Sequence, residues 1–132
     1  INYRCGTGHS VSFVGNVHEG PHSLRGTNSV VMRPGMVVTD EPGVYETDLV
    51  GIRIENELVC VHKADNQYGT FLGFEPIMFV PIATSPIVPG VLTKDERDWL
   101  NNYHRQVFEK LAPRLNDEER EWLAKKCAAI GC

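Results

Sequence analysis

No basic stripe runs through the 132 residues, and the formal net charge is −4. A nucleic-acid surface needs clustered lysine and arginine to meet phosphates, so that class of partner is excluded. No apolar run approaches the roughly 18 residues that a helix needs to cross a bilayer, so no membrane partner is expected. The opening residues show neither the charged nor the apolar region of a signal peptide. Cysteine is scarce: Cys5, Cys60, Cys127 and Cys132 form no C-x-x-C spacing and no regular framework, and a reduced, cytoplasmic setting is the expectation. Repeats of solenoid length and low-complexity tracts are missing as well. What remains, at 42% hydrophobic and 23% charged residues, is ordinary globular composition. The chain opens at Ile1 without a methionine and runs straight into a glycine- and histidine-dense segment, which reads as a piece of a longer protein.

The stretch richest in chemistry is Thr39 to Asn56, T-D-E-P-G-V-Y-E-T-D-L-V-G-I-R-I-E-N. Met36 to Thr39 is β-prone, and Val50, Ile52 and Ile54 alternate with Gly51, Arg53 and Glu55. Side chains on a strand repeat every two residues, so Ile52 and Ile54 are predicted to face a core, with Arg53 and Glu55 on the other surface. Val37, Thr39 and Glu41 share one face of the first run. Antiparallel pairing of the two runs about a turn near Asp48 would set Glu41 opposite Glu55, about 4.5 to 5.5 Å apart at Cβ. Two opposed carboxylates repel unless something positive compensates, and Arg53 or a metal ion could do so.

Upstream, residues 5–22 read C-G-T-G-H-S-V-S-F-V-G-N-V-H-E-G-P-H. The glycines let other groups approach the backbone, and His9 and His18 are candidate metal ligands, proton carriers or hydrogen-bond donors. His22, after Pro21, is expected at the surface. Pro34-Gly35 predicts a type II turn into the Met36 strand. Beyond Glu55 the strand is predicted to run on to Val61, Lys63 to Gly69 has loop composition, and an edge strand is expected within Phe71 to Ile82, limited by Pro76 and Pro81. Pro86, Pro89 and Gly90 form a linker. Thr93 with Glu96, and Asn116 with Glu119, are capping boxes. The first opens a helix with Trp99, Leu100, Tyr103, Val107 and Leu111 on one face, stopped by Pro113; the second opens a helix with Trp122, Leu123 and Cys127.

Four motifs in order, G-T-G-H-S-V-S, N-V-H-E-G-P, T-D-E-P-G and G-I-R-I-E-N, resemble the Xaa-Pro aminopeptidases (aminopeptidase P), metallopeptidases of the pita-bread fold. F-L-G-F-E-P-I-M-F-V-P-I and L-T-K-D-E-R-D-W-L-N-N-Y-H resemble the C-terminal extension of the larger cytosolic branch. The resemblance implies an α+β fold: the C-terminal half of a pita-bread domain over residues 1–66, then an extension over 67–132 with an edge strand, a linker and two helices. It implies a hydrolase that releases the N-terminal residue from peptides with proline second, using two divalent metals, usually manganese. By position, His9, Glu41 and Glu55 would be metal ligands and Glu41 a proton shuttle. His18 would hold the substrate or the tetrahedral intermediate, as a second catalytic residue, and Arg53 would support the ligands from behind. The family's two aspartate ligands lie before the His9 motif, so the chain alone is expected to bind metal weakly and to be inactive. Cys5 stands where the family has a histidine at the proline pocket. Self-association as a homodimer, or retention of the missing N-terminal part, is also expected. Other possibilities are a metal-free peptide-binding module of the same fold and a prolidase or methionine aminopeptidase activity.

Overall fold

The structure is a computed structural model that describes residue 3 and residues 5–131. Cys132 lies outside the described residues. The chain divides into two compact units, residues 1–78 and 79–132. This division falls later than the expected change at residue 66, because the last strand pairs along its predecessor and stays with the first unit.

In the first unit, β1 (Val37–Asp40), β4 (Asn56–Asn66) and β5 (Gly69–Pro76) form an antiparallel sheet in the order β1-β4-β5, while β2 (Gly43–Glu46) and β3 (Val50–Arg53) form a two-stranded hairpin. The pairing follows the expected register but breaks into two ladders. β1 pairs with residues 56–59, and residues 43–46 meet 50–53 about the turn at Asp48, whose φ is 57°. Pro42 explains the break, since it has no N–H to give a continuous ladder. The register nevertheless carries through: Asp40 faces Asn56, Ile54 N–H donates to the Pro42 carbonyl at 3.3 Å, and Gly43 faces Arg53. Glu41 therefore lies opposite Glu55 along the chain direction, between the two ladders.

Three expectations fail here for identifiable reasons. Ile52 and Ile54 are half exposed (51% and 50%) instead of buried, because no element of this unit covers the hairpin. The segment 63–69 is ladder rather than loop, since β4 runs to Asn66 and turns at Gln67-Tyr68. Polar contacts replace apolar patterning there: across the strands Asp65 accepts from Thr70 at 2.7 Å and Lys63 donates to Glu75 at 2.7 Å, and within β4 Asp65 meets His62 at 2.8 Å. His22 is half-buried, its Nε2 donating to the Val37 carbonyl at 2.7 Å. The predicted turn at Pro34-Gly35 is present: Gly35 has φ 88° and Met36 N–H donates to the Arg33 carbonyl at 3.1 Å.

The second unit holds α1 (Lys94–Leu111) and α2 (Asp117–Lys126), each opened by a complete capping box, at Thr93/Glu96 and Asn116/Glu119. Acidic residues in the first turns and lysines in the last favour both helix dipoles. Tyr103, Val107 and Leu123 form the core, with Phe79, Ile82, Phe108, Leu111, Leu115 and Cys127 packed around it. Trp99 and Trp122 stand 60% and 56% exposed, outside that core; Trp99 stacks on Tyr103 with centroids 5.8 Å apart. His104, which apolar periodicity passes over, is fully buried, and its Nε2 accepts from the Ile82 N–H at 3.1 Å.

Candidate metal centre

The centre is built by laying the His9 segment against β1. Thr39 N–H donates to the His9 carbonyl at 2.9 Å, and Glu41 N–H to the Thr7 carbonyl at 2.7 Å. On its other side the segment meets residues 22–24, through Ser10 N–H to the His22 carbonyl at 3.1 Å and Leu24 N–H to the Gly8 carbonyl at 3.0 Å. Gly8 makes this possible: a methyl group there would sit 1.8 Å from the Thr39 carbonyl oxygen, so only glycine admits β1 so closely.

Thr39 joins the His9 backbone to the Glu41 side chain. Its buried hydroxyl accepts the His9 N–H at 3.0 Å and donates to Glu41 Oε1 at 3.0 Å. The Glu41 carboxylate is itself buried, and its second oxygen accepts from Arg53 Nη1. Arg53 Nε–H donates to the Tyr45 hydroxyl at 2.7 Å. That bond, above all, raises the Arg53 guanidinium above its ordinary value, and the charges of Glu41 and Glu55 push the same way. The compensation expected between the opposed carboxylates is thus supplied in part by Arg53.

His9 Nδ1 lies 3.0 Å from the Ser10 carbonyl, which can only accept, so Nδ1 carries the proton. His9 Nε2 faces Glu41 Oε1 at 2.8 Å. A neutral imidazole and a carboxylate in that position are two acceptors in contact, and they require a proton or a cation beside them. His18 completes the group: its ring centroid is 4.1 Å from that of His9, and one ligand atom each from His9, His18 and Glu41 lie within 4.8 Å of one another. Imidazole and carboxylate donors suit a divalent transition ion, and a carbonyl-anchored imidazole is how a metal-ligating histidine is usually oriented. The donor set fits a metal.

Of the sequence-predicted residues, the structure brings together His9, His18, Glu41 and Arg53, and it groups His18 with the ligand atoms rather than apart from them. Glu55 is exposed and lies outside the group of three. The Cys5 thiol is partly buried and donates to the Gly43 carbonyl at 3.4 Å. Thr39, Tyr45 and Arg25 were not singled out from the sequence, although the period-two face shared by Thr39 and Glu41 contained the first. Gly6, Gly8, His9, His18, Arg25, Glu41 and Arg53 line an open cleft of about 200 Å³.

Comparison with known proteins agrees with this geometry. The chain is 40% identical to a probable Xaa-Pro aminopeptidase P of Coprinopsis cinerea, over 98% of this chain and 22% of that protein. It is 45% identical to Aminopeptidase P2 of Arabidopsis thaliana, over 93% of this chain and 18% of the relative. A solved X-prolyl aminopeptidase of Caenorhabditis elegans, described as a cytosolic enzyme with a di-nuclear active site, superposes with a TM-score of 0.81 at 39% identity, over 95% of this chain and 21% of that one. The chain thus spans about a fifth of the length of these relatives. Its fold is the C-terminal half of the pita-bread architecture followed by a helical extension. Residues 1–62 match the model of metallopeptidase family M24 and residues 70–130 that of the C-terminal region of peptidase M24, and the chain belongs to that family.

Proposed function

We propose that this chain contributes part of the catalytic centre of a dinuclear Xaa-Pro aminopeptidase. The gathering of one possible ligand atom each from His9, His18 and Glu41 within 4.8 Å of one another carries the proposal, because it brings two imidazoles and a carboxylate to one point. His9, Glu41 and Glu55 would hold divalent metal; the resemblance implies manganese, an ion that carboxylate donors suit. Bound ions supply Lewis acidity, which makes water acidic enough to attack a carbonyl near neutral pH.

The chain's own residues do the rest. Thr39 and Arg53 fix both oxygens of Glu41, which would carry the proton between attacking water and leaving amine. His18, the exposed imidazole of the group, steadies the negative charge that develops on the scissile carbonyl oxygen. Cys5 belongs to the wall around the prolyl ring. One buried carboxylate and two imidazoles fall short of what two divalent ions require, so the described constellation alone binds metal weakly and turns over little. The resemblance assigns the remaining ligands to two aspartates that precede the His9 motif. A homodimer and a cytoplasmic setting complete the proposal, supported by the exposed apolar hairpin and by Cys5, Cys60 and Cys127 as free thiols.

The test is cleavage by the complete protein, loaded with manganese, of peptides that differ only in proline or alanine at the second residue. Release of the first residue from the proline peptide alone is expected, with Glu41→Gln lowering kcat at least about 100-fold. Absence of cleavage, or cleavage indifferent to proline, overturns the proposal.

A further inference from the structure

We infer that Arg25 makes this cleft select peptides that carry a carboxylate close behind the prolyl residue; the inference rests on the aminopeptidase proposal above. Two guanidinium groups line the cleft. Arg53 is engaged by Glu41 and Tyr45. The Arg25 carbonyl accepts from the Asn28 N–H at 3.0 Å, but its guanidinium has no ion pair or hydrogen bond among the described residues, though it borders the same space as His9 and His18. Gly6 lies beside it in the lining, and having no side chain it adds no bulk on that side of the guanidinium, where a methyl group would come to 3.9 Å from Arg25 Nη2.

Charge decides what such a group binds. Glu41 is already balanced by Arg53, so Arg25 is the unbalanced cation at the mouth, and its planar fork fits a carboxylate in two parallel hydrogen bonds. Distance decides where that carboxylate lies. A cleft of about 200 Å³ is roughly 6 Å across, and an extended peptide advances about 3.3–3.6 Å per residue. An anion that meets Arg25 therefore lies within about two residues of the bond that His18 faces. It can be the C-terminal carboxylate of a very short peptide or an acidic side chain at the third residue.

The complete, metal-loaded protein is assayed for kcat/KM on two matched pairs: Xaa-Pro-Ala with a free or an amidated C-terminus, and amidated Xaa-Pro-Asp against Xaa-Pro-Asn. A preference of about tenfold or more for the charged member of at least one pair is expected, and the pair that shows it identifies the source of the carboxylate. Arg25→Gln should bring that ratio close to one, and Arg25→Lys should restore part of it. Equal values within both pairs, or a ratio unaltered in Arg25→Gln, overturn the inference while leaving proline-directed cleavage standing. Failure to cleave any of the four peptides overturns both.

Discussion

Arg53 and Glu41 are joined across the break between two ladders, the carboxylate side chain 9% exposed and the guanidinium 38% exposed. Such a pair orients more than it stabilises, because the charge that benefits is the buried one. Truncation in Arg53→Ala leaves Glu41 without its counter-charge and free to turn. Manganese affinity of the complete protein should fall about 10- to 100-fold, as for other partners that support a ligand from behind. Calorimetric titration checks this, and unchanged affinity would show that Thr39 alone fixes the carboxylate.

Gly8→Ala tests how the centre is assembled. The added methyl collides with the Thr39 carbonyl, which is backbone and cannot swing aside. A destabilisation of at least about 1–3 kcal/mol is expected, read from the urea midpoint, together with loss of metal binding. Gly20→Ala, where the added group meets nothing within 4 Å, is the control and should shift the midpoint little.

His104 gives the helical unit a dependence on pH. Burial holds its imidazole below the ordinary value of 6.5, and its Nε2 must stay unprotonated to accept the Ile82 N–H. Its Nδ1 is buried without a partner. The unfolded chain takes up a proton near 6.5 and the folded unit only at lower pH, so the contribution is whole above 6.5 and lost as pH falls toward the lowered value. The thermal midpoint of this unit should drop between about pH 7 and about pH 5, and His104→Phe should flatten that slope. Circular dichroism melts across that range decide it.

The core of the same unit is small, and Leu123 is 2% exposed within it. Leu123→Ala should cost about 2–5 kcal/mol. Hydrogen exchange should register the loss on α1 and α2, leaving β1 and β4 protected; equal loss in all four elements would mean that the two units unfold together.

How much of this was legible in the sequence follows from range. The capping boxes at Thr93 and Asn116 depend on residues three apart, and both were readable. The Asp48 turn and the opposition of Glu41 and Glu55 follow from period two and one loop, so the register was readable although its split was not. Pro42 splits the pairing into two ladders without shifting the register, a break made by a missing N–H. The alternation that sent Ile52 and Ile54 inward records a covering surface that this unit does not itself provide. His22, His104 and Arg25 owe their surroundings to residues distant in sequence, and no local pattern announces them.

The hydroxyl of Thr39 touches the backbone of His9 and the side chain of Glu41. Imidazole and carboxylate consequently share a single mechanical reference. A substitution at position 39 that removes the hydroxyl releases both at once, which makes this small side chain the least negotiable point of the centre.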